Sequence, residues 1–276
     1  MMGKKNTRLK AIVYTLLIFY CLLTLVPFAW SILTSFKTTA EIAGGGTFLP
    51  QEWSTSGYQK VFGSKLPTWV MNSLVVALIT TLINLVVNTM AGYALARIDF
   101  RGRKLLFSFL LALIMVPAQV TMIPLYIVIT NLGLIDTHWS IIFTMMFNIA
   151  YIFMMRQFFI NFPRDVEEAA TMDGLSKIGT FFRIVLPNAK AAVATQAVFV
   201  FMGVWNEFMK PLLFISSPDK YMLTQGLNAL AKTFRNATAW DVIMAGAIVS
   251  IIPIFIIYIV LNKYFITTND QTAGIK

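Results

Sequence analysis

Side chains able to do chemistry are scarce in this sequence, and where they stand is informative. His138 is the one histidine and Cys21 the one cysteine. A structural or catalytic metal site draws three or four ligands together, and a nucleophile needs a base beside it. Neither set can be assembled, so no catalytic residue and no metal ligand is assigned. His138 stands next to Trp139 in a short polar break and reads as an interfacial residue. Gly-x-x-x-x-Gly-Lys-Ser/Thr does not occur, so any ATP must be held by another chain. One carboxylate is out of place: Glu207 lies well inside an apolar run, where an ionisable group marks function by default. Lys210 follows three residues later on a similar helix face. Glu207 therefore has two readings, contact with a translocated solute or structural pairing with Lys210 or another subunit.

The elements that must position these residues are apolar helices. Hydrophobic residues make up 58% of the 276 residues and charged residues 12%, with a mean hydropathy of +0.73. Globular domains carry about 25% charge, so much of this surface has a solvent other than water. Six runs are each long enough for a bilayer, which needs about 20 apolar residues. They are 11–33, 69–96, 105–130, 140–158, 190–214 and 241–261. The reading is an all-α polytopic membrane protein with six transmembrane helices, a single transmembrane domain over 1–276. The first run is too long for a signal peptide, lacks a small-x-small cleavage site and is followed by five more. Pro27, Pro117, Pro124, Pro211 and Pro253 fall in or near the ends of these runs and predict bends. The triplet Gly44, Gly45, Gly46 predicts a flexible loop between the first two.

Charge sets the expected orientation. The net charge of +10 is scattered between apolar runs and forms no stripe, which excludes nucleic acid as a partner. With the N-terminus inside, fifteen of the 22 Lys and Arg fall in inner segments, among them Lys4, Lys5, Arg8, Lys10, Arg97, Arg101, Arg103 and Lys104. Six fall outside (Lys37, Lys60, Lys65, Lys220, Lys232, Arg235), and Lys210 lies in a run. Basic residues accumulate in cytoplasmic loops. Both termini are therefore expected in the cytoplasm.

The longest inner segment, 159–189, breaks the apolar pattern. Asp165 with Glu168 three residues later has capping-box spacing, and Glu167 and Glu168 suit a first helical turn. Ala169 and Ala170 are strong helix formers with small side chains. Gly174 is placed for a left-handed cap. Ser176 can start a second helix that Pro187 stops from continuing unbent. The product is a helix–turn–helix elbow with a small-residue surface that another protein can approach.

Glu168-Ala169-Ala170, three residues, Gly174, nine residues, Ile184, one residue and Leu186-Pro187 resembles the EAA loop of ABC importer permeases. The likeness extends along the chain. PFAWSILTSFK over 27–37 resembles the end of the first span in sugar permeases of the maltose type. Asn72-Ser73-Leu74 and the stretch from Ala91 to Arg97 resemble the limits of their second span. Trp205-Asn206-Glu207-Phe208 with Pro211-Leu212 is similar to their fifth span, and Lys263-Tyr264-Phe265 with Ala273-Gly274 to their C-terminus.

The resemblance implies the type I ABC importer permease fold and the smaller of two permease chains in the carbohydrate-uptake family. It implies a second, homologous permease subunit, two ATPase subunits and an external solute-binding protein as partners, in a bacterial or archaeal cytoplasmic membrane. ATP and Mg would be held by the ATPase partner, with no cofactor on this chain. The implied coupling residues are Glu168, Ala169, Ala170, Asp173, Gly174 and Pro187. Along a possible substrate path, Trp205 would offer a sugar a stacking face, with Asn206 and Glu207 as hydrogen-bonding groups. The segment 217–239, including Pro218, Asp219, Lys220, Arg235 and Asn236, would reach toward the binding protein. The competing class is a secondary transporter driven by an ion gradient, which would call for more intramembrane carboxylates and a paired inverted half.

Overall fold

The computed structural model describes residues 3–45, 47–233 and 239–273, and every regular element among them is helical. α1 (Gly3–Ser35) is followed by the short α2 (Thr39–Ala43) and α3 (Ser56–Gly63), then by α4 (Leu66–Arg97). α5 (Arg103–Ile114), α6 (Ala118–Asn131), α7 (His138–Met145) and α8 (Ile149–Asn161) lead to the elbow. The elbow comprises α9 (Arg164–Met172), α10 (Lys177–Thr180), a π-helical turn Phe181–Val185 and α11 (Leu186–Asn188). Beyond it come α12 (Lys190–Trp205), α13 (Met209–Phe214), α14 (Leu223–Thr233) and α15 (Trp240–Ala273).

Three helices are long and apolar enough to cross a membrane alone: Leu9–Ser35 in α1, all of α4, and Trp240–Val260 in α15. Counting each bent pair as one span raises the number to as many as six. The apolar run 105–130 is not one rod, because α5 and α6 meet at 103°. Pro117 takes extended backbone there (ψ 132) and, lacking an N–H, cannot continue α5. Pro124 is accommodated inside α6, as Pro27 and Pro253 are inside α1 and α15. The run 190–214 is likewise interrupted. α12 stops at Trp205 and α13 begins at Met209, leaving Glu207 in the gap.

The chain packs as two compact units. One unit takes the chain up to Pro67 with Leu227–Ile252. In it the segment after α1 is pinned to the start of α15: Lys60 Nζ lies 3.4 Å from Asp241 Oδ2, and Thr39 Oγ1 donates to Oδ1 at 3.2 Å. The apolar side chains of α1 are bare along the span, as lipid or a second chain requires.

The other unit takes Thr68–Gly226 and the stretch from Pro253. Two of its helices meet closely at Gly92 of α4, where a Cβ would stand 2.7 Å from Met155 Cβ and 3.0 Å from Arg156 N on α8. Only the missing side chain lets the backbones approach so closely. Beside it, Tyr93, Met155, Phe159, Phe181, Val185 and Ala189 form one buried cluster that joins α4 and α8 to the second half of the elbow. Tyr93 meets Phe181 at 4.8 Å between ring centroids and Phe159 edge-on at 5.5 Å. Gly92→Val is expected to force α4 off α8, at about 1–3 kcal/mol, and to lower the thermal unfolding midpoint in detergent. Gly203→Ala, with nothing within 4 Å of the added Cβ, is expected to leave that midpoint unchanged or raised.

Candidate functional site

The elbow begins two residues earlier than its capping signature predicts. Pro163, at φ −59 and ψ 127, is the N-cap of α9, and Arg164 is already helical. Asp165 therefore sits inside the first turn and makes no capping hydrogen bond, so the expected Asp165–Glu168 box does not form. Its charge still faces the positive end of the helix. At the other end Gly174 adopts φ 82. Leu175 N donates to Ala170 O and Gly174 N to Thr171 O, each at 3.0 Å, which is the hydrogen-bond pattern of a Schellman cap. Ser176 Oγ accepts from Gly179 N at 3.2 Å and starts α10. The π turn then delivers Pro187 as the second residue of α11, and the chain bends by 78° into α12.

Adjacent residues of α9 face opposite ways. Glu168, Ala169 and Asp173 are exposed, Val166 is partly bare and Met172 is 88% exposed. Beyond the turn Ile178 is 72% exposed, while Phe182 lines an apolar cavity with Leu85, Val86 and Met90 of α4. Ala170 is only 4% exposed, so it belongs to the seat of the elbow and not to the small outer surface expected of it. Glu167 also points inward. Its Oε1 lies 3.1 Å from Arg97 Nε, with side chains 17% and 7% exposed, and Tyr93 OH donates to its Oε2 at 3.2 Å. Arg97 also donates to the carbonyl of Phe162, at the end of α8. A cavity of about 240 Å³, lined by Arg97, Asp99, Arg103, Arg164, Glu168 and Lys177 among others, opens beside this pair. Sequence reasoning missed Tyr93, Arg97 and Glu167 as a set. The available signal was the i, i+4 spacing of Tyr93 and Arg97 at the charged end of an apolar run.

The three proposed path residues are not brought together as one surface. Trp205 is buried and stacks on Phe201 at 5.6 Å, so its ring offers no open face to a sugar. Asn206 is exposed and its Nδ2 donates back to Met202 O at 2.9 Å. Glu207 receives Met209 N at 3.1 Å, Lys210 N at 3.3 Å and Lys210 Nζ at 3.3 Å, so it caps α13 and pairs with Lys210. Of the two readings, this geometry carries the structural one.

Polar groups gather elsewhere in the interior. Asn84 Nδ2 donates to Met145 O at 2.7 Å, Asn148 N to Asn88 Oδ1 at 3.2 Å, and Gln196 Nε2 to Asn84 O at 3.2 Å. A cavity of about 120 Å³ adjoins them, lined by Asn84, Thr144, Asn148, Tyr151, Gly203 and Lys210 among others.

An elbow with an EAA pattern is thus seated on the apolar helices α4 and α8. Residues 88–268 match the family described as binding-protein-dependent transport system inner membrane component. The chain belongs to this family. Among its relatives, the arabinooligosaccharides transport system permease protein AraQ of Bacillus subtilis is 34% identical over 260 residues, 92% of each chain. The diacetylchitobiose uptake system permease protein NgcG of Streptomyces coelicolor is 31% identical over 264 residues, 95% of this chain and 87% of that one. The inner membrane ABC transporter permease protein YcjP of Escherichia coli is 33% identical over 270 residues, 94% and 95%. The fold superposes, with a TM-score of 0.84 and 25% identity, on a crystal structure of a bacterial ABC transporter involved in the import of the acidic polysaccharide alginate. The match covers 96% of this chain and 99% of that one. The type I permease fold and a multi-pass membrane protein follow. These relatives give the secondary-transporter alternative no support.

In this family member the turn between α6 and α7 holds the loop that follows α13. Asp136, at φ 58, accepts from Ser216 N at 3.0 Å, Ser217 N at 2.9 Å, Ser217 Oγ at 2.5 Å and Lys220 Nζ at 3.0 Å. His138 Nε2 lies 2.9 Å from Lys220 O, an acceptor only, and so donates. Of the expected docking segment, Lys220 is held by this turn, while the carbonyls of Pro218 and Asp219 accept from Trp69 Nε1 at 2.8 Å and Asn72 Nδ2 at 2.9 Å on α4. Arg235 and Asn236 lie outside the described residues, as does Gly274 of the tail. The Ser217 hydroxyl first, then its amide and the Lys220 ammonium, hold the Asp136 carboxyl well below the usual carboxylate range. A depressed folded value means that the contribution is full above the unfolded value, about 3.9, and is lost as pH falls through the folded one. With Cys21 replaced, a spin label at Pro218→Cys is expected to stay immobile from pH 7 to about pH 4 and loosen only below it. With Asp136→Asn added, it should be mobile throughout.

Proposed function

We propose that this chain is one of two permease subunits of an ATP-driven importer that takes a carbohydrate, an oligosaccharide or disaccharide, into the cytoplasm. The observation that carries the coupling part of this reading is the outward face of the elbow. Val166, Ala169, Met172 and Ile178 are exposed on a short segment rooted in the interior. Exposed apolar side chains clustered on a rigid mount mark a protein-binding surface. The occupant is an ATPase subunit, which holds ATP and Mg, with Glu168 and Asp173 at the rim of the contact. Membership of the binding-protein-dependent family and the oligosaccharide systems named among the relatives support the carbohydrate. A solute-binding protein delivers it from outside, and a second, homologous permease completes the pathway.

Six spans, with both termini and the elbow in the cytoplasm, complete the reading, supported by the basic asymmetry of the loops. With Cys21 replaced, Ser176→Cys is expected to react only with reagent on the cytoplasmic side and Ser217→Cys only from outside. The reverse pattern would rule out ATPase docking on the elbow.

Gly174 has open space around it but a backbone that side chains rarely adopt. Gly174→Val costs roughly 1 kcal/mol or somewhat more and reshapes the turn beneath Met172. Ala169→Asp puts a charge in the middle of the apolar face. Both variants are expected to reach the membrane at normal level, because the spans satisfy their own backbone groups. They are expected to co-purify with less ATPase and to lose uptake, screened with labelled oligosaccharides. Normal uptake in both would mean that the elbow is only a connector.

A further inference from the structure

Glu167 does what its neighbour Glu168 cannot. Glu168 faces out, whereas Glu167 reaches back from the first turn of α9 to the last residue of α4. Arg97 is ion-paired with the Glu167 carboxylate, Nε lying 3.1 Å from Oε1, and donates to the Phe162 carbonyl with its outer nitrogen, so one guanidinium fastens the end of α8 and the start of α9 together. Tyr93, one turn earlier on the same helix face, serves twice. Its hydroxyl donates to Glu167, and its ring is packed among Phe159 and Phe181. The elbow is thus tied to α4 by a charged strap at α9 and an apolar plug at the π turn. Higher on the same unbroken helix, Asn84 and Asn88 hold the α7–α8 break, and Asn84 also receives Gln196 of α12. α4 thus reaches both the elbow and the polar interior through specific hydrogen bonds.

We infer that Tyr93, Arg97 and Glu167 are positioning residues that hand a displacement of the elbow to α4, and through Asn84 and Asn88 to the polar cavity between α4, α8 and α12. This rests on the reading that an ATPase docks on the outer face of α9. The strap is suited to the task because it is largely buried. An ion pair screened from water holds its geometry, whereas an exposed one contributes little. The charges also oppose the right helix ends, a cation at the C-terminus of α4 and a carboxylate at the N-terminus of α9. A two-point attachment transmits rotation as well as translation, which a single hinge would let slip.

The test follows the cavity instead of the solute. In the assembled complex with Cys21→Ser, Thr144→Cys lines the cavity and can be alkylated by a methanethiosulfonate reagent, with and without trapping by ATP and vanadate. Trapping is expected to change the alkylation rate in this parent. Glu167→Gln and Arg97→Gln are each expected to reduce the change at least about fivefold, while the ATPase still co-purifies and hydrolyses. The reversed pair, Arg97→Glu with Glu167→Arg, is expected to recover much of it. A merely structural tie would lower membrane level and co-purification together and leave the response per assembled complex as in the parent.

A parent-like response in Glu167→Gln overturns the inference, as does a reversed pair that assembles yet recovers nothing. Should the reversed pair fail to assemble, Tyr93→Phe decides, since it removes one hydroxyl and keeps the ring. A reduced response supports the strap, and a parent-like one overturns it. Ala169→Asp separates the two layers. If it docks and responds normally, the docking reading falls and this inference with it. If it fails to dock while Glu167→Gln responds like the parent, this inference falls alone.

Discussion

Every backbone amide and carbonyl in an apolar surrounding must find a partner, and the architecture is organised around the places where helices break that rule. An unbroken helix satisfies itself, as α4 does over 32 residues. The interrupted helices need help. At the α7–α8 break the free carbonyl of Met145 and amide of Asn148 are taken by Asn84 and Asn88 of α4. At the α12–α13 break, the first amides of α13 are taken by Glu207. A buried group left unpaired costs about 1–3 kcal/mol, so the polar side chains inside the apolar runs are fixed by the breaks they serve.

The same economy governs the elbow. Its sequence is polar enough for water, yet it is not free to move by itself. Leu175 and Gly174 close the Schellman cap, Phe181 and Val185 enter the apolar cluster, and Glu167 is drawn to Arg97. What remains for an outside partner is one face, carrying Ala169 and Met172, whose shape is held from behind. A face held this firmly loses little side-chain and loop freedom when it binds, which is the main cost of association.

Much of this was legible in the residues. Six apolar runs, an elbow with a positive-φ glycine at Gly174 and a serine cap at Ser176 follow from hydropathy and turn chemistry. Reading the EAA pattern as a surface motif was too simple, because side-chain direction on α9 turns by about 100° per residue and sends Ala170 inward and Ala169 out. The Asp165 cap failed because Pro163 fixes its own φ and moves the helix start by two residues. Trp205 was misjudged for another reason. Stacking on Phe201 is a tertiary outcome, and a tryptophan beside an asparagine looks the same in sequence whether its ring is free or covered. The bend at Pro117 was signalled, but its size was not, since one proline can be absorbed, as Pro124 is, or turn the chain by 103°.

Gly92 gives α4 a mechanical property beyond close packing. It is a point where the helix backbone bears directly on α8, and a rigid rod that tilts about such a point acts as a lever. Arg97 lies five residues to one side, about 7.5 Å at 1.5 Å per residue, and Asn84 eight residues to the other, about 12 Å. Tilting about that fulcrum makes each ångström of travel at the elbow end into about 1.6 Å at Asn84, in the opposite sense. The arms are set by residue numbering alone, so a glycine one turn nearer Arg97 would lengthen the stroke and one nearer Asn84 would shorten it.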